Sequence, residues 1–322
     1  MLRAMQRRHW PWAAALMTTP RCWAVGAPGG PATWAEALWL AGDGDTVRLP
    51  AGVHRAGGVI TQRALTVQGE GQATVLDGEG LSLPEGKALL VVRGGEVTVQ
   101  DLQLRGARVP DGNGAGIRFE RGQLTVRRCR FSDCEMGLLT GNDPKARLTV
   151  QDCRFDDAPP DTGRGLHHLL YIGAIAEATV TGSDFRFGTR GAQGHLLKCR
   201  ARVALVAHNR LGDDDPRSTP SYLLDFSNGG RVTVRGNRLV QGPASPNRTM
   251  LAYGPEGGGE DREHRLTVHA NHFVNRGSPA LFWRVWASRL ASAPVLDLAD
   301  NHREGAGRAE PDRRGAWALT SP

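Results

Sequence analysis

Long apolar runs, lysine and blocks of like charge are what this chain of 322 residues has little of. No stretch approaches the ~20 apolar residues of a transmembrane helix, which excludes a multispan membrane protein, and no membrane insertion is expected. Five cysteines are too few for a small disulfide scaffold. The formal charge of +7 forms no patch, because residues 1–27 carry four arginines and no acid, and removing them leaves +3. A nucleic-acid partner loses its main support, while a weak preference for anionic partners survives. What is present is enough apolar residue (40%) to build a core, and 42 glycines among short strand-like runs, which point to β architecture.

The N-terminus reads as an address. Met1 to His9 is basic, Trp10 to Met17 is apolar, and Val25-Gly26-Ala27 offers small residues where a signal peptidase cuts. Residues 1–27 are expected to be a signal peptide, residues 28–304 one domain, and residues 305–322 a disordered tail. The expected location is outside the cytoplasm, secreted or periplasmic.

An internal repeat governs the rest. A β-type triplet, often Leu-Thr-Val, starts at Leu65, Val97, Leu124, Leu148, Ala178, Ala204, Val232, Leu266 and Leu296, with spacings of 24 to 34 residues. Five residues after each later start sits a small or amide residue: Cys129, Cys153, Ser183, Asn209, Asn237, Asn271 and Asn301. Two residues further on come Phe131, Phe155, Phe185, Leu211, Leu239 and Phe273, and only Arg303 breaks the series. Units this short bury an apolar side only by stacking on one another, so a solenoid is predicted. Asparagines stacked at a turn can hydrogen-bond from rung to rung, and Asn tolerates left-handed backbone. Leucine-rich repeats lack support because their leucine spacing is missing. Helical repeats conflict with the glycine content and the two-residue alternation, and propeller blades need longer units. The predicted fold is all-β, a single-stranded parallel β-helix of about nine to ten rungs.

Pro31 to Ala41 reads as a short amphipathic helix able to cover the open strand edges at the N-terminal end. The helix followed by GDTVRLPAGVHR (residues 44–55, after Asp43) resembles the first rung of bacterial right-handed parallel β-helix proteins of the pectate-lyase-like superfamily. The resemblance extends through Gly194-His195-Leu196-Leu197-Lys198, Asn228-Gly229-Gly230, Gln241-Gly242-Pro243 and Tyr253-Gly254, and spans roughly residues 32–303. It implies that superfamily's right-handed solenoid. The carbohydrate chemistry it suggests is an expectation.

A second strand per rung can be aligned on an apolar pair: Leu138-Leu139, Leu169-Leu170, Leu196-Leu197, Leu223-Leu224, Leu251-Ala252 and Leu281-Phe282. The residue after each pair then points outward, giving the row Thr140, Tyr171, Lys198, Asp225, Tyr253 and Trp283. Arg200 and Ser227 share that face two residues on. His168, His195 and Tyr222 form a column three residues earlier, near a corner. Lysine is rare here, with Lys87, Lys145 and Lys198 against 37 arginines. Unlike arginine, a lysine can lose its proton. The plainer alternative is a cross-rung salt bridge between Lys198 and Asp225, flanked by tyrosines and contributing ~0–1 kcal/mol if exposed. His195 reads equally as a buried corner residue. Asn228 lies in turn chemistry first.

The expected function is that of a monomeric carbohydrate-active protein acting on an acidic polysaccharide, a lyase removing the C5 proton of a uronic acid. Such chemistry needs a base, an acid and cationic charge for the enolate. Lys198 is the expected base with His195 the alternative, Tyr171 or Tyr253 the acid, and Arg200 the carboxylate clamp. Asp225 completes the catalytic group. Tyr222, Tyr253, His168, Asn228, Glu256 and Trp283 are the expected substrate contacts, with Trp283 and Trp286 either a sugar platform or end-cap packing. A non-catalytic glycan-binding protein, a glycosidase and an epimerase remain open. No metal site or cofactor is expected. Asp225 and Glu256 are the acids that hint at calcium, but two donors fall short of the ~6–8 it takes. Asp213-Asp214-Asp215 invites a hydrolase reading, yet consecutive side chains diverge and Pro216 follows, so a solvated loop is expected. Cys129 and Cys153 share one column and are expected to be a reduced core pair.

Overall fold

The computed structural model describes residues 19–160, 163, 166–212, 215–258, 262–311 and the backbone of 315–316. Its strands cycle through three sheets. Sheet 1 runs from Cys22–Ala24 through Asp45–Arg48 and Ala64–Gln68 to Val295–Ala299, with Gly315–Ala316 added antiparallel at the far edge. Sheet 2 runs from Gly52–His54 to His302–Glu304, and sheet 3 from Gly58–Ile60 to Gly307–Glu310, with ten strands in each. Every other pairing is parallel between equivalent strands of successive turns, which makes a β-helix of about ten rungs.

The nine triplets predicted to stack do so in register, from Leu65 on Val97 to Leu266 on Leu296. Their first and third residues fill the core, and the outward residue between them is threonine in all but two, where it is Leu205 or Asp297. The Phe131, Phe155 and Phe185 rings stack at 4.6 and 4.8 Å on sheet 2, close to the ~4.8 Å between paired strands.

The predicted asparagine ladder is present at the corner between sheets 1 and 2. Asn237 Oδ1 accepts from the Asn209 backbone N–H at 2.8 Å and side-chain Nδ2 at 3.0 Å, and Asn271 and Asn301 repeat the pattern. Ser183 and Cys153 continue the column. The asparagines are not the left-handed residues. That role falls to the residue before each: His208 (φ 58°), Gly236 (φ 63°), Ala270 (φ 53°) and Asp300 (φ 56°). One left-handed residue turns the chain, and the next side chain thereby points inward, where it is bonded on both sides.

The covering helix is Trp34–Leu40, shorter than expected. Thr33 caps it by accepting from the Glu36 N–H, and Glu36 accepts in return from Ala32. Trp34, Ala37 and Leu38 face the core, and the helix sits so close over Gly58 that a side chain there would strike Leu38 and Trp34.

The solenoid is longer than the sequence boundaries suggested. Cys22–Ala24 pairs with Asp45–Arg48, ahead of residue 27, and Gly307–Glu310 pairs with Ala280–Val285, beyond residue 304. Residues 1–18 and 317–322 lie outside the described residues. Cys129 and Cys153 are buried free thiols in the same column. Burial pushes the Cys129 thiol well up, and those of Cys134 and Cys199 to about 12.

Two predictions follow from the packing. Replacing Asn237 by Ala strips the Asn209 backbone N–H of its acceptor inside the wall, while Asn209 Nδ2 keeps the Val180 carbonyl, and should cost ~1–3 kcal/mol for the stranded buried group; the midpoint of urea unfolding measures it. Thiol titration of the folded full-length chain should modify Cys22, the exposed cysteine, and reach the other four only in denaturant. Native-state modification of Cys129 or Cys153 would contradict the buried column.

Candidate functional site

On sheet 3 the middle residue of each short strand turns away from the core. Leu170 and Ile172, Leu197 and Cys199, and Leu224 and Phe226 all lie in the core cluster, so Tyr171, Lys198 and Asp225 between them face outward. They pair as direct neighbours, Tyr171 on Lys198 and Lys198 on Asp225, as expected from the sequence. The full outward row is Val59, Val91, Arg118, Leu139, Tyr171, Lys198, Asp225, Ala252 and Arg284.

The ends of the expected row differ by one residue. Leu139, not Thr140, pairs with Tyr171, and Ala252, not Tyr253, pairs with Asp225. Tyr253 therefore points into the core, fully buried, and its hydroxyl donates to the Gly230 carbonyl at 2.6 Å. Trp283 pairs with Leu251 and is likewise a core residue, its indole N–H donating to Pro311. Neither Tyr253 nor Trp283 can touch a ligand on the outer face. Trp286 is half-buried and lines a hollow of about 400 Å³ with Arg284 and Glu310.

Two walls rise beside the row. The turns from sheet 2 to sheet 3 bring His168, His195 and Tyr222, whose rings stack at 4.8 and 4.9 Å. Each histidine Nδ1 accepts a backbone N–H from the next rung: His168 from His195 at 3.0 Å, and His195 from Tyr222 at 3.2 Å. That bond leaves the ring hydrogen on Nε2, and His195 Nε2 lies 3.6 Å from Asp225 Oδ2. The turns from sheet 3 to sheet 1 bring Asn228 and Glu256 on the other side.

The walls explain why charged groups on an outer face are buried. The Lys198 side chain is 10% exposed and that of Asp225 2%, whereas Glu256 is 40% exposed. Lys198 Nζ stands 3.2 Å from Asp225 Oδ2 and 2.6 Å from Glu256 Oε1. Arg200 donates from Nε to the Tyr171 hydroxyl oxygen at 2.9 Å, from Nη1 to Asn228 Oδ1 at 2.9 Å, and from Nη2 to Glu256 Oε2 at 2.5 Å. The Ser227 hydroxyl donates to Asp225 Oδ2 at 2.9 Å, and Asp225 Oδ1 is buried without a partner among the described residues. Of the eleven residues singled out from sequence, nine lie together on the row or its flanking walls, and Tyr253 and Trp283 lie in the core instead.

Burial works against every charge here, and partners decide the outcome. For Lys198 burial favours the neutral amine, but Asp225 and Glu256 outweigh it and hold its pKa above the ordinary lysine value. For Asp225 burial prevails over Lys198 and Ser227, and its pKa is raised. Glu256 is less buried, and Lys198 and Arg200 draw its pKa down. Burial, with Lys198 nearby, pushes His195 down to about 3, and burial with the neighbouring His195 pushes His168 well below its usual value.

Sequence reasoning missed a group at the C-terminal end of sheet 2, where His272, His302 and Glu304 offer ligand atoms within 4.8 Å of one another. The signal was available, since both histidines follow ladder asparagines. Arg238 lies 2.9 Å from His272 Nδ1, which must accept from it, so the Nε2 hydrogen faces Glu304 at 3.3 Å. This is the arrangement of a surface side-chain network of Arg238, His272 and Glu304. Of the aspartate run, Asp213 and Asp214 lie outside the described residues, and Asp215 is held by Arg217 at the surface.

Neither a scan of protein-family models nor a search of curated proteins finds a match for the chain. Solved structures do match. The PL6-family alginate lyase AlyGC aligns over 88% of this chain with a TM-score of 0.56 and 14% identity. The chain spans 40% of the length of that enzyme. An alginate lyase from Paenibacillus sp. str. FPU-7 aligns over 90% of this chain and 97% of its own, with a TM-score of 0.51 and 13% identity. The chain shares the right-handed parallel β-helix fold of these structures. At these identities the β-helix likeness is one of fold, and a fold carries many chemistries.

The histidine ladder gives the site a pH signature. In the folded β-helix His195 stays neutral down to about pH 3, while an unfolded histidine takes a proton near 6.5. The unfolded chain then binds more protons, so stability falls as pH drops below 6.5, by about 1.4 kcal/mol per unit for each such histidine. Urea midpoints between pH 7 and 5 should decline, and His195→Gln should flatten the decline. An unchanged slope in that variant would mean that His195 is charged in the folded protein.

Proposed function

We propose that this β-helix is an exported carbohydrate-active protein acting on an acidic polysaccharide, a lyase that breaks uronic-acid linkages by β-elimination. One observation carries the reading. Two cations from one rung, Lys198 within its strand and Arg200 just past the strand's end, converge on a single carboxylate, that of Glu256, beside the hydroxyl of Tyr171. Acidity at C5 of a uronate depends on neutralising its carboxylate, so such a cradle is what the first step needs. A base takes the C5 proton, the C5–H electrons become the C4–C5 double bond, the C4–O bond breaks, and the departing oxygen takes a proton. Both alginate lyases named above share the scaffold. Export rests on the basic Met1–His9 and apolar Trp10–Met17 pattern, which precedes the first strand.

The geometry redistributes the roles. Lys198 as base has less support, because two carboxylates hold its proton. His195 has less as well, because its Nδ1 lone pair is committed to Tyr222. Lys198 and Arg200 suit electrostatic stabilisation of the enolate. Arg200 can only donate, so the Tyr171 oxygen accepts and its own hydrogen is left to point elsewhere. Tyr171 is thus the better proton-transfer group, and Tyr253 drops out. A second reading, glycan binding without catalysis, is favoured by the same locked state of Lys198 and His195.

The test is a screen of alginate, polygalacturonate and other uronic-acid polymers, following the ultraviolet absorbance of unsaturated products. With an active polymer, Tyr171→Phe should lower kcat by roughly 10²-fold or more while binding persists. Lys198→Arg keeps the charge, and should retain measurable turnover if Lys198 acts electrostatically; near-complete loss with polymer binding and thermal unfolding unchanged would restore it as the base. Binding without product from any polymer would favour the non-catalytic reading.

A further inference from the structure

We propose that the Glu256 carboxylate occupies the seat of the substrate's own carboxylate, so that the site is closed to single uronic acids and opened by polymers. This rests on the reading of Lys198 and Arg200 as a carboxylate cradle. Each Glu256 oxygen meets one cation, Oε1 at Lys198 and Oε2 at Arg200, at 2.6 and 2.5 Å. A uronate held by the same two groups would sit in the same way.

Charge counting makes displacement necessary. Two cations face two acids, so an incoming carboxylate must replace one of them or leave an excess of negative charge in a poorly solvated site. Asp225 cannot leave, since it is buried and held by Ser227 and Lys198. Glu256 can. Its side chain is the most exposed of the four.

The cradle also survives its departure. Lys198 keeps Asp225 at 3.2 Å, and Arg200 keeps Tyr171 and Asn228 at 2.9 Å each. Glu256 is therefore a second partner to both cations and the sole support of neither. Its backbone need not move. Glu256 N–H donates to the Ser227 carbonyl, Asn228 Nδ2 to the Gly257 carbonyl, and Gly254 (φ 76°) and Gly257 (φ 82°) supply the turn around it. Only the side chain swings.

A tethered carboxylate competes at an effective concentration on the order of millimolar. A lone uronate below that level loses the competition. A polyuronate contacting neighbouring rungs, such as Tyr222 or the Trp286 hollow, gains the additional contacts that displace Glu256.

The experiment is calorimetric titration of the full chain and its Glu256→Ala and Glu256→Gln variants, using sodium galacturonate, sodium glucuronate, alginate and polygalacturonate. The wild-type chain should bind a polymer and show no binding of the monomers at 1 mM (~10⁻³ M, the scale of the tether). Both variants should bind a monomer at least about 10-fold more tightly than the wild type, with thermal unfolding little changed, because each cation keeps a partner. If the wild type binds a polymer and neither variant gains affinity for a monomer, this inference falls and the lyase reading stands. If no uronate, single or polymeric, binds any of the three proteins, both fall.

Discussion

Register is the constraint on which the rest of this molecule depends. Residues alternate between core and outer face, so a one-residue slip between rungs would exchange the two sets. Here it would drive Lys198 and Asp225 into a core of leucine and phenylalanine, where unpaired charge is prohibitive. The ladder of Asn209, Asn237, Asn271 and Asn301 fixes the corner where each rung begins. Its amides bond to the next rung's amide and to carbonyls of the wall, so the register is specified by polar bonds as well as by apolar volume. The left-handed residue before each asparagine is the local cost, of order 1–2 kcal/mol when it is not glycine.

That constraint explains what the sequence made legible. Sheet 1 was readable because the triplets repeat with apolar ends and a threonine between. The ladder and the phenylalanine column stood at fixed offsets from them. The centre of the site was readable because Tyr171, Lys198 and Asp225 each follow an unambiguous leucine pair. Its ends were not. Met250-Leu251-Ala252-Tyr253 and Leu281-Phe282-Trp283 contain more than one apolar pair, and the pairs in register are Met250-Leu251 and Phe282-Trp283. Arg284 carried the missing signal: a charged residue must face outward, and aligning it with Asp225 and Ala252 would have placed Tyr253 and Trp283 inside.

The walls were the least legible part, because they come from turns of variable length. Nothing in the spacing places Glu256 against Lys198, fifty-eight residues away. The link is made by stacking, which puts the turn after one rung beside the strands of earlier ones. Scarcity of lysine drew attention to Lys198 on the ground that it can lose a proton. The structure offers a different physical reason for lysine. Its compact ammonium, with three donors, reaches Asp225 and Glu256 together within a narrow slot, where a planar guanidinium would demand a wider fork.

The same slot connects stability to function. Asp225 is buried with one oxygen unpartnered, and its charge is tolerable only while Lys198 remains a cation. Any ligand carboxylate that enters must therefore preserve that ammonium. A neutral sugar could not replace Glu256, because it would leave Lys198 and Arg200 short of negative charge. Under the proposed function, the arrangement would select for acidic sugars before any contact with the ring is made. Specificity of this kind would come from what the site already holds: the buried Asp225 would fix the sign of the charge, and the more exposed Glu256 would mark the place where a second carboxylate exchanges.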